Sequence, residues 1–328
     1  MQFCVVGAGA MGGSFAALLE RAGHQVCVID TWAEHIDAIN ADGLRMTGVL
    51  GEHRARLSAQ TTVVDTAFAD WVIVFTDSNA TGVAAETAAQ VLKPDGTVIT
   101  MQNGIGNVEK LIARLGAQRV VGGSSMCSAA RVGPGEVAFT HHATTSIGEL
   151  DGAVSTRIEA LAQLLRGVGL DVQVETHIVA KIWNKFVLNC GINALCAVSG
   201  LRVGEMARIP EMYALQDRII DEALRVTAAK GIDLPGGDVR TTIKKASFYK
   251  FNQPSMLQYV LAGRKTEIDS INGALIAEAG TLGIPTPYNE ALVAMLKGRE
   301  LQRMQEQAGT SVDYVAWEAQ AKADPLPE

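Results

Sequence analysis

The chain of 328 residues has no block of lysine or arginine, no C-x-x-C pair and no long unbroken apolar run. Each absence narrows the field. Lys+Arg 28 against Asp+Glu 35 gives a formal charge of −7 with no basic patch, which disfavours a binder of nucleic-acid phosphates. The five cysteines (Cys4, Cys27, Cys127, Cys190, Cys196) are odd in number and scattered. Neither a disulfide scaffold nor a zinc ribbon is therefore expected, and a reducing cytoplasm is the expected compartment. No stretch approaches the roughly 18 apolar residues that a membrane span needs. Met1 to Val6 lacks a basic leader and reads as a strand that opens the fold. Aromatics are scarce at 5%, whereas glycine counts 33, a balance common in alanine- and glycine-rich α/β enzymes. With 48% hydrophobic and 19% charged residues the chain can bury a sizeable core, and its length predicts two domains.

Short apolar runs alternate with helical patterns in the first half. Phe3-Cys4-Val5-Val6, Val26-Cys27-Val28-Ile29, Trp71-Val72-Ile73-Val74-Phe75 and Thr97-Val98-Ile99-Thr100 read as strands, with helices through 14–22, 33–41 and 81–92 between them. Near-continuous β-branched runs separated by helices are the pattern of a parallel sheet covered on both faces. A further strand is expected at 119–122, and 123–148 reads as an antiparallel extension of the same sheet. After a strand at 171–175 the pattern is helical: 177–199, 211–231, 236–249, 255–282 and 288–305, with a short helix and a frayed end in the polar tail. The fold class expected is an α/β Rossmann-type doubly wound sheet followed by an all-helical C-terminal domain. The boundaries are 1–176 for a dinucleotide-binding domain and 177–328 for a substrate-binding, catalytic one.

Gly7-Ala8-Gly9-Ala10-Met11-Gly12 is a G-x-G-x-x-G placed directly after the first strand and opening the first helix. Gly7 allows a tight turn, Gly9 a close approach of backbone to a pyrophosphate, and Gly12 close helix–strand packing. The helix start supplies free N–H groups and a positive dipole end. Asp30 ends the second strand, the expected place for a carboxylate that accepts from the adenosine ribose and repels a 2′-phosphate. No lysine or arginine adjoins it, so NAD is favoured over NADP.

Lys185, Asn189 and Asn193 recur at i, i+4, i+8, each step turning about 40°, so the three share one side of an otherwise apolar helix. A lysine and two amides on a buried helix need partners or a water-filled cleft. A partly desolvated lysine titrates low enough to act as general acid. Lys181, nearer the helix start, fits a snorkelling role instead. Asn103, after the strand 98–100, lies at the carboxyl edge where doubly wound sheets bind ligands; it can orient nicotinamide or lysine, or simply shape a turn. Ser255 and Glu267 add a hydroxyl and a carboxylate. Glu267 either holds a substrate hydroxyl or pairs with Arg264 or Lys265 at the surface. His141-His142 has no third ligand and adjacent strand residues face apart, so no metal is predicted.

Together, Gly7–Gly12, Asn103-Gly104, Lys185 with Asn189 and Asn193, Ser255-Met256-Leu257-Gln258 and Thr266-Glu267-Ile268-Asp269-Ser270-Ile271-Asn272-Gly273 resemble the ketopantoate reductase (2-dehydropantoate 2-reductase) family over residues 1 to about 300. The resemblance implies a substrate cleft between a Rossmann and a helical domain. It implies Lys185 as general acid, Glu267 as the carboxylate beside the substrate hydroxyl, and Asn103 as the residue positioning lysine and cofactor. Asn189, Asn193 and Ser255 match substrate-binding positions. Two residues depart from the family pattern. Members using NADPH commonly carry a basic residue where Asp30 stands, and the family often has lysine where Asp77 stands, an aspartate expected to repel a carboxylate substrate.

The reading is nicotinamide-dependent reduction of a small 2-oxo acid, with 2-dehydropantoate the first candidate. The alternatives are an NAD-dependent dehydrogenase of another small hydroxy acid on the same scaffold and a non-catalytic dinucleotide-sensing module. No nucleic-acid or membrane partner is expected. The apolar stretch 268–282 serves either the core or a homodimer interface.

Overall fold

The computed structural model describes residues 1–309 and 313–322; the end of the tail, read as frayed, lies outside them. Strands β1 (Gln2–Val6), β2 (Gln25–Ile29), β6 (Ala69–Val74), β7 (Leu92–Thr100) and β8 (Val120–Ser125) lie side by side in parallel with β5 (Ser58–Gln60). The sheet runs β12-β11-β8-β7-β6-β1-β2-β5, with β11 (Thr145–Gly148) antiparallel to β8 and β12 (Val172–Val174) parallel to β11. Strand β1 thus lies between β2 and β6, and the chain reverses direction of travel across the sheet there. The runs are apolar on both faces because both are covered. One face packs against α1 (Ala10–Arg21) and α5 (Thr156–Gly167), the other against α3 (Thr81–Val91) and α4 (Asn107–Leu115). Each large side chain fully buried there, such as Phe3, Phe15 and Ile99, stabilises the fold by about 1.5–3 kcal/mol.

The segment 123–148 departs from the expectation. Only β11 extends the main sheet. β9 (Ser128–Gly133) and β10 (Glu136–His141) instead form a second sheet, order β4-β3-β10-β9, with β3 (Leu44–Gly48) and β4 (His53–Ala55), laid over α1. Val137 and Phe139 are fully buried while their strand neighbours are not. A one-faced strand pattern shows that a face is covered, not by which layer.

The C-terminal domain is helical. α6 (Ile178–Ser199) runs through its centre against α8 (Pro210–Ala229), α10 (Ser255–Leu261) and α12 (Pro287–Ala308), with α7 (Val203–Met206) and α9 (Val239–Tyr249) on one side. The helix expected over 255–282 is broken. Gly263, at φ +59°, ends α10 in the left-handed region, the chain runs irregularly to a 3₁₀ turn at Ile268–Ser270, and α11 (Asn272–Thr281) starts afresh. Ile268, Ile271, Leu275 and Ala279 all enter the helical core, so this stretch serves the core. The tail helix expected from sequence is α13 (Tyr314–Ala321).

Candidate active site

The glycine turn has the stereochemistry its spacing requires. Gly7 has φ +94°, and a Cβ on it would lie 2.6 Å from the Thr76 nitrogen; one on Gly12 would lie 1.8 Å from the Gly7 oxygen. Gly9, the N-cap of α1, would meet nothing within 4 Å and has no capping side chain. The turn is therefore closed toward the protein at Gly7 and Gly12 and open at Gly9, where uncapped N–H groups face outward. A turn of this form can cradle an anionic phosphate. Asp30 adjoins it: Oδ2 accepts from the Ala8 N–H at 2.8 Å and Oδ1 from the Trp32 N–H at 2.9 Å. The carboxylate braces the turn while each oxygen keeps further lone pairs for a ribose.

Across the edge of the sheet, the N-terminal half of α6 packs on β8 and β11. Lys185 Nζ donates to the Ser125 carbonyl oxygen at 2.6 Å. Burial pushes its pKa down to about 8, with the negative charge of Glu267 and the nearby Cys127 acting the other way. One and two turns on, Asn189 and Asn193 are 6% and 5% exposed. Among the described residues neither side chain finds a hydrogen-bond partner, yet their polar atoms are not sealed from solvent. Buried amides are normally satisfied, so an amide in this state is one that a ligand or water completes. Ser255 opens α10, which packs on α6, and its half-buried hydroxyl is likewise uncommitted. Lys181, by contrast, pairs with Glu175 at 3.0 Å.

Glu267 lies in the irregular stretch between α10 and α11, 4% exposed. Its Oε1 accepts from the Ser78 N–H at 2.9 Å and lies 2.8 Å from the Ser78 hydroxyl; Oε2 accepts from Asn103 Nδ2 at 3.1 Å. Burial raises its pKa above the usual carboxylate value, and these donors partly offset that. The surface pairings open to it from sequence do not form. Arg264 binds Asp77 instead, and Lys265 lies 3.7 Å from Asp269. Asn103 is also a turn residue, since its carbonyl oxygen accepts from Asn107 Nδ2 at 2.8 Å.

Ser78 was invisible as a site residue in the sequence, although it sits in the loop after β6, at the same carboxyl edge as Asn103. The neighbouring Asp77 corrects an expectation. Its carboxylate accepts from the Tyr259 hydroxyl and from Arg264 Nη2 at 2.9 Å, and the Arg264 guanidinium lies over the Tyr259 ring at 4.6 Å. Its charge is compensated inside the protein, so it does not stand as a bare repulsive group. Tyr259 and Arg264 come from the helical domain, far along the chain from Asp77, and spacing alone gives no sign of the cluster. His142 accepts from the Asp171 N–H at 3.2 Å, and the described residues hold no group of three His, Cys, Asp or Glu placed for a metal ion.

A Rossmann-type sheet with this turn and a helical domain bearing the lysine define a nicotinamide-dependent oxidoreductase. Two family models match the chain: ketopantoate reductase PanE/ApbA over residues 3–152 and ketopantoate reductase PanE/ApbA C terminal over 177–300. The 2-dehydropantoate 2-reductase of Archaeoglobus fulgidus is 30% identical over 298 residues, covering 90% of this chain and 97% of that protein. That of Pyrococcus horikoshii is 30% identical over 300 residues, 92% and 98%. Among solved structures, a D-mandelate dehydrogenase with NADH and anilino(oxo)acetate superposes with TM-score 0.87 at 27% identity over 92% of this chain and 99% of that one. A PanE/ApbA family ketopantoate reductase from Ralstonia eutropha gives 0.85 at 29%, with the same coverage. The chain belongs to the ketopantoate reductase family and is an oxidoreductase of the 2-dehydropantoate 2-reductase type. No helix among the described residues is long and apolar enough to cross a membrane.

Proposed function

We propose that the protein reduces a small 2-oxo acid to the 2-hydroxy acid with NADH. Residues 1–176 serve as the dinucleotide domain and 177–328 as the substrate domain. The observation that carries this reading is the Lys185 ammonium, desolvated to a pKa of about 8 and held at 2.6 Å by the Ser125 carbonyl at the edge of the sheet that bears the glycine turn. Bound dihydronicotinamide supplies the hydride. Gly7, Ala8, Gly9, Ala10, Met11 and Gly12 hold the pyrophosphate, and Asp30 accepts from the adenosine ribose, which favours NADH over NADPH. Lys185 donates its proton to the substrate oxygen as charge develops there, a role suited to an acid that titrates near the working pH. Asn189, Asn193 and Ser255 hold the oxo acid in register. Asn103 and Glu267 set the lysine's field, and Glu267 adjoins the substrate hydroxyl.

The substrate favoured is 2-dehydropantoate, the substrate named for the sequence relatives that span nearly the whole chain. A second reading, reduction of a different and aromatic 2-oxo acid, is supported by the likeness to D-mandelate dehydrogenase and by Asp77, where the family often has lysine. Initial rates with 2-dehydropantoate and with phenylglyoxylate, each with NADH and NADPH, separate the two. A kcat/KM highest for 2-dehydropantoate supports the first reading; negligible turnover of it with both cofactors removes it.

A further inference from the structure

Arg131, on β9 of the second sheet, is the cation near the glycine turn that the mechanism leaves unused. Its guanidinium lies over the Trp32 ring, 5.2 Å from the centroid. Among the described residues no carboxylate lies within ion-pairing distance of it, whereas nearby Arg264 is committed to Asp77. Partial burial lowers its pKa, as does the nearby Arg264, while Tyr259, Asp77 and Asp30 raise it, and the Arg131 charge in turn lowers that of His35.

The Trp32 ring locates the guanidinium, because Trp32 lies two residues beyond Asp30. Asp30 follows β2 and Asp77 follows β6, and β1 lies between those strands. A guanidinium over the Trp32 ring therefore stands on the Asp30 side of the Gly7–Gly12 turn, since Asp30 accepts from both the Trp32 N–H at 2.9 Å and the Ala8 N–H at 2.8 Å. We propose that Arg131 binds the pyrophosphate of the dinucleotide, closing over the glycine turn from the second sheet. An unpaired guanidinium offers several N–H donors in a planar fork that suits phosphate oxygens, and a second cation nearby is better tolerated once two phosphate charges lie between.

The scaffold behind Arg131 is fixed to that same turn. Trp32 stacks on His35, with centroids 4.8 Å apart and planes within 6°. His35 is fully buried, lying 2.9 Å from the Ala8 carbonyl oxygen through Nε2 and accepting from the Gly135 N–H at 2.9 Å through Nδ1. A carbonyl can only accept and an amide N–H only donate, so the ring is the neutral Nε2–H tautomer. It ties the β9–β10 hairpin, which carries Arg131, to residue 8 of the phosphate turn. The second sheet is thereby held in register with the cofactor cradle.

This inference rests on the reading that a nicotinamide dinucleotide occupies the turn, and the test separates the two. Binding of ADP-ribose, NADH and NADPH to the whole protein is measured by calorimetry for wild type, Arg131→Ala and Arg131→Lys. Arg131→Ala is expected to weaken ADP-ribose and NADH about 10-fold or more, with Arg131→Lys intermediate. Its melting temperature is expected to be unchanged. Unchanged affinity of Arg131→Ala for ADP-ribose overturns the proposal, as does a loss confined to NADPH, which would place the guanidinium on a 2′-phosphate. Wild type that binds none of the three overturns the underlying reading as well.

Discussion

Glu267, from the helical domain, accepts the backbone N–H of Ser78 at 2.9 Å and meets its hydroxyl at 2.8 Å, joining the loop after β6 to the segment before α11. With Asn103 Nδ2 on the other oxygen, a buried carboxylate from one domain is saturated by donors from the other. Ile105 N–H donating to the Ser270 carbonyl at 3.2 Å and Asn79 Nδ2 to that of Thr266 at 2.9 Å extend the same seam. The seam sets where Lys185 stands relative to the glycine turn, because α6 and the Glu267 segment belong to one helical core.

Glu267→Gln keeps the shape but turns an amide donor toward Ser78 or Asn103, leaving a buried donor unsatisfied at a cost of about 1–3 kcal/mol. It also removes the charge that favours the Lys185 ammonium. The expected result is a lower melting temperature and a pH–rate break moved to lower pH. Ser78→Ala, which leaves the backbone N–H in place, is expected to lower stability without moving the break.

As the proposed general acid, Lys185 sets the expected pH dependence. Its depressed pKa of about 8 means the ammonium is present below that pH and lost above it. For reduction, kcat/KM is expected to be level below about pH 8 and to fall about tenfold per unit above it. For oxidation of the hydroxy acid, which needs the neutral amine as base, the limbs reverse. Profiles recorded in both directions check the sign.

The two glycines of the turn separate folding from binding. Gly9→Ala adds a methyl where nothing lies within 4 Å, so the melting temperature is expected to hold while NADH affinity falls, the methyl entering the proposed pyrophosphate site. Gly12→Ala places a methyl 1.8 Å from the Gly7 oxygen and is expected to destabilise the protein by several kcal/mol. Thermal melts with fluorescence titrations distinguish the two.

Asn189→Ala and Asn193→Ala break no hydrogen bond within the described protein, so each is expected to change stability by less than about 1 kcal/mol. Each is expected to raise KM for the oxo acid at least several-fold. Steady-state kinetics at saturating NADH, beside melting curves, checks both.

The fold class was legible in the sequence because continuous apolar strands and amphipathic helices differ in period, and G-x-G-x-x-G marks the first turn. The second sheet was not legible as such. Val137 and Phe139 signal one buried face, but β10 pairs with β3, a strand distant in sequence. The break inside 255–282 was hidden because Ile268, Ile271 and Leu275 repeat at helical spacing although a 3₁₀ turn interrupts them. At the site, Lys185, Asn189 and Asn193 were grouped by spacing along one helix. The compensation of Asp77 by Tyr259 and Arg264, and the grip of Ser78 on Glu267, depend on contacts across the domains that no local pattern encodes.

The most direct test of the central claim is single-turnover reduction of 2-dehydropantoate by Lys185→Ala, followed by the loss of NADH absorbance, with the NADH Kd measured on the same sample. A rate about 10² to 10⁴ times slower than wild type is expected, with the Kd within about twofold. A Lys185→Ala protein that reduces the oxo acid at the wild-type rate would contradict the claim.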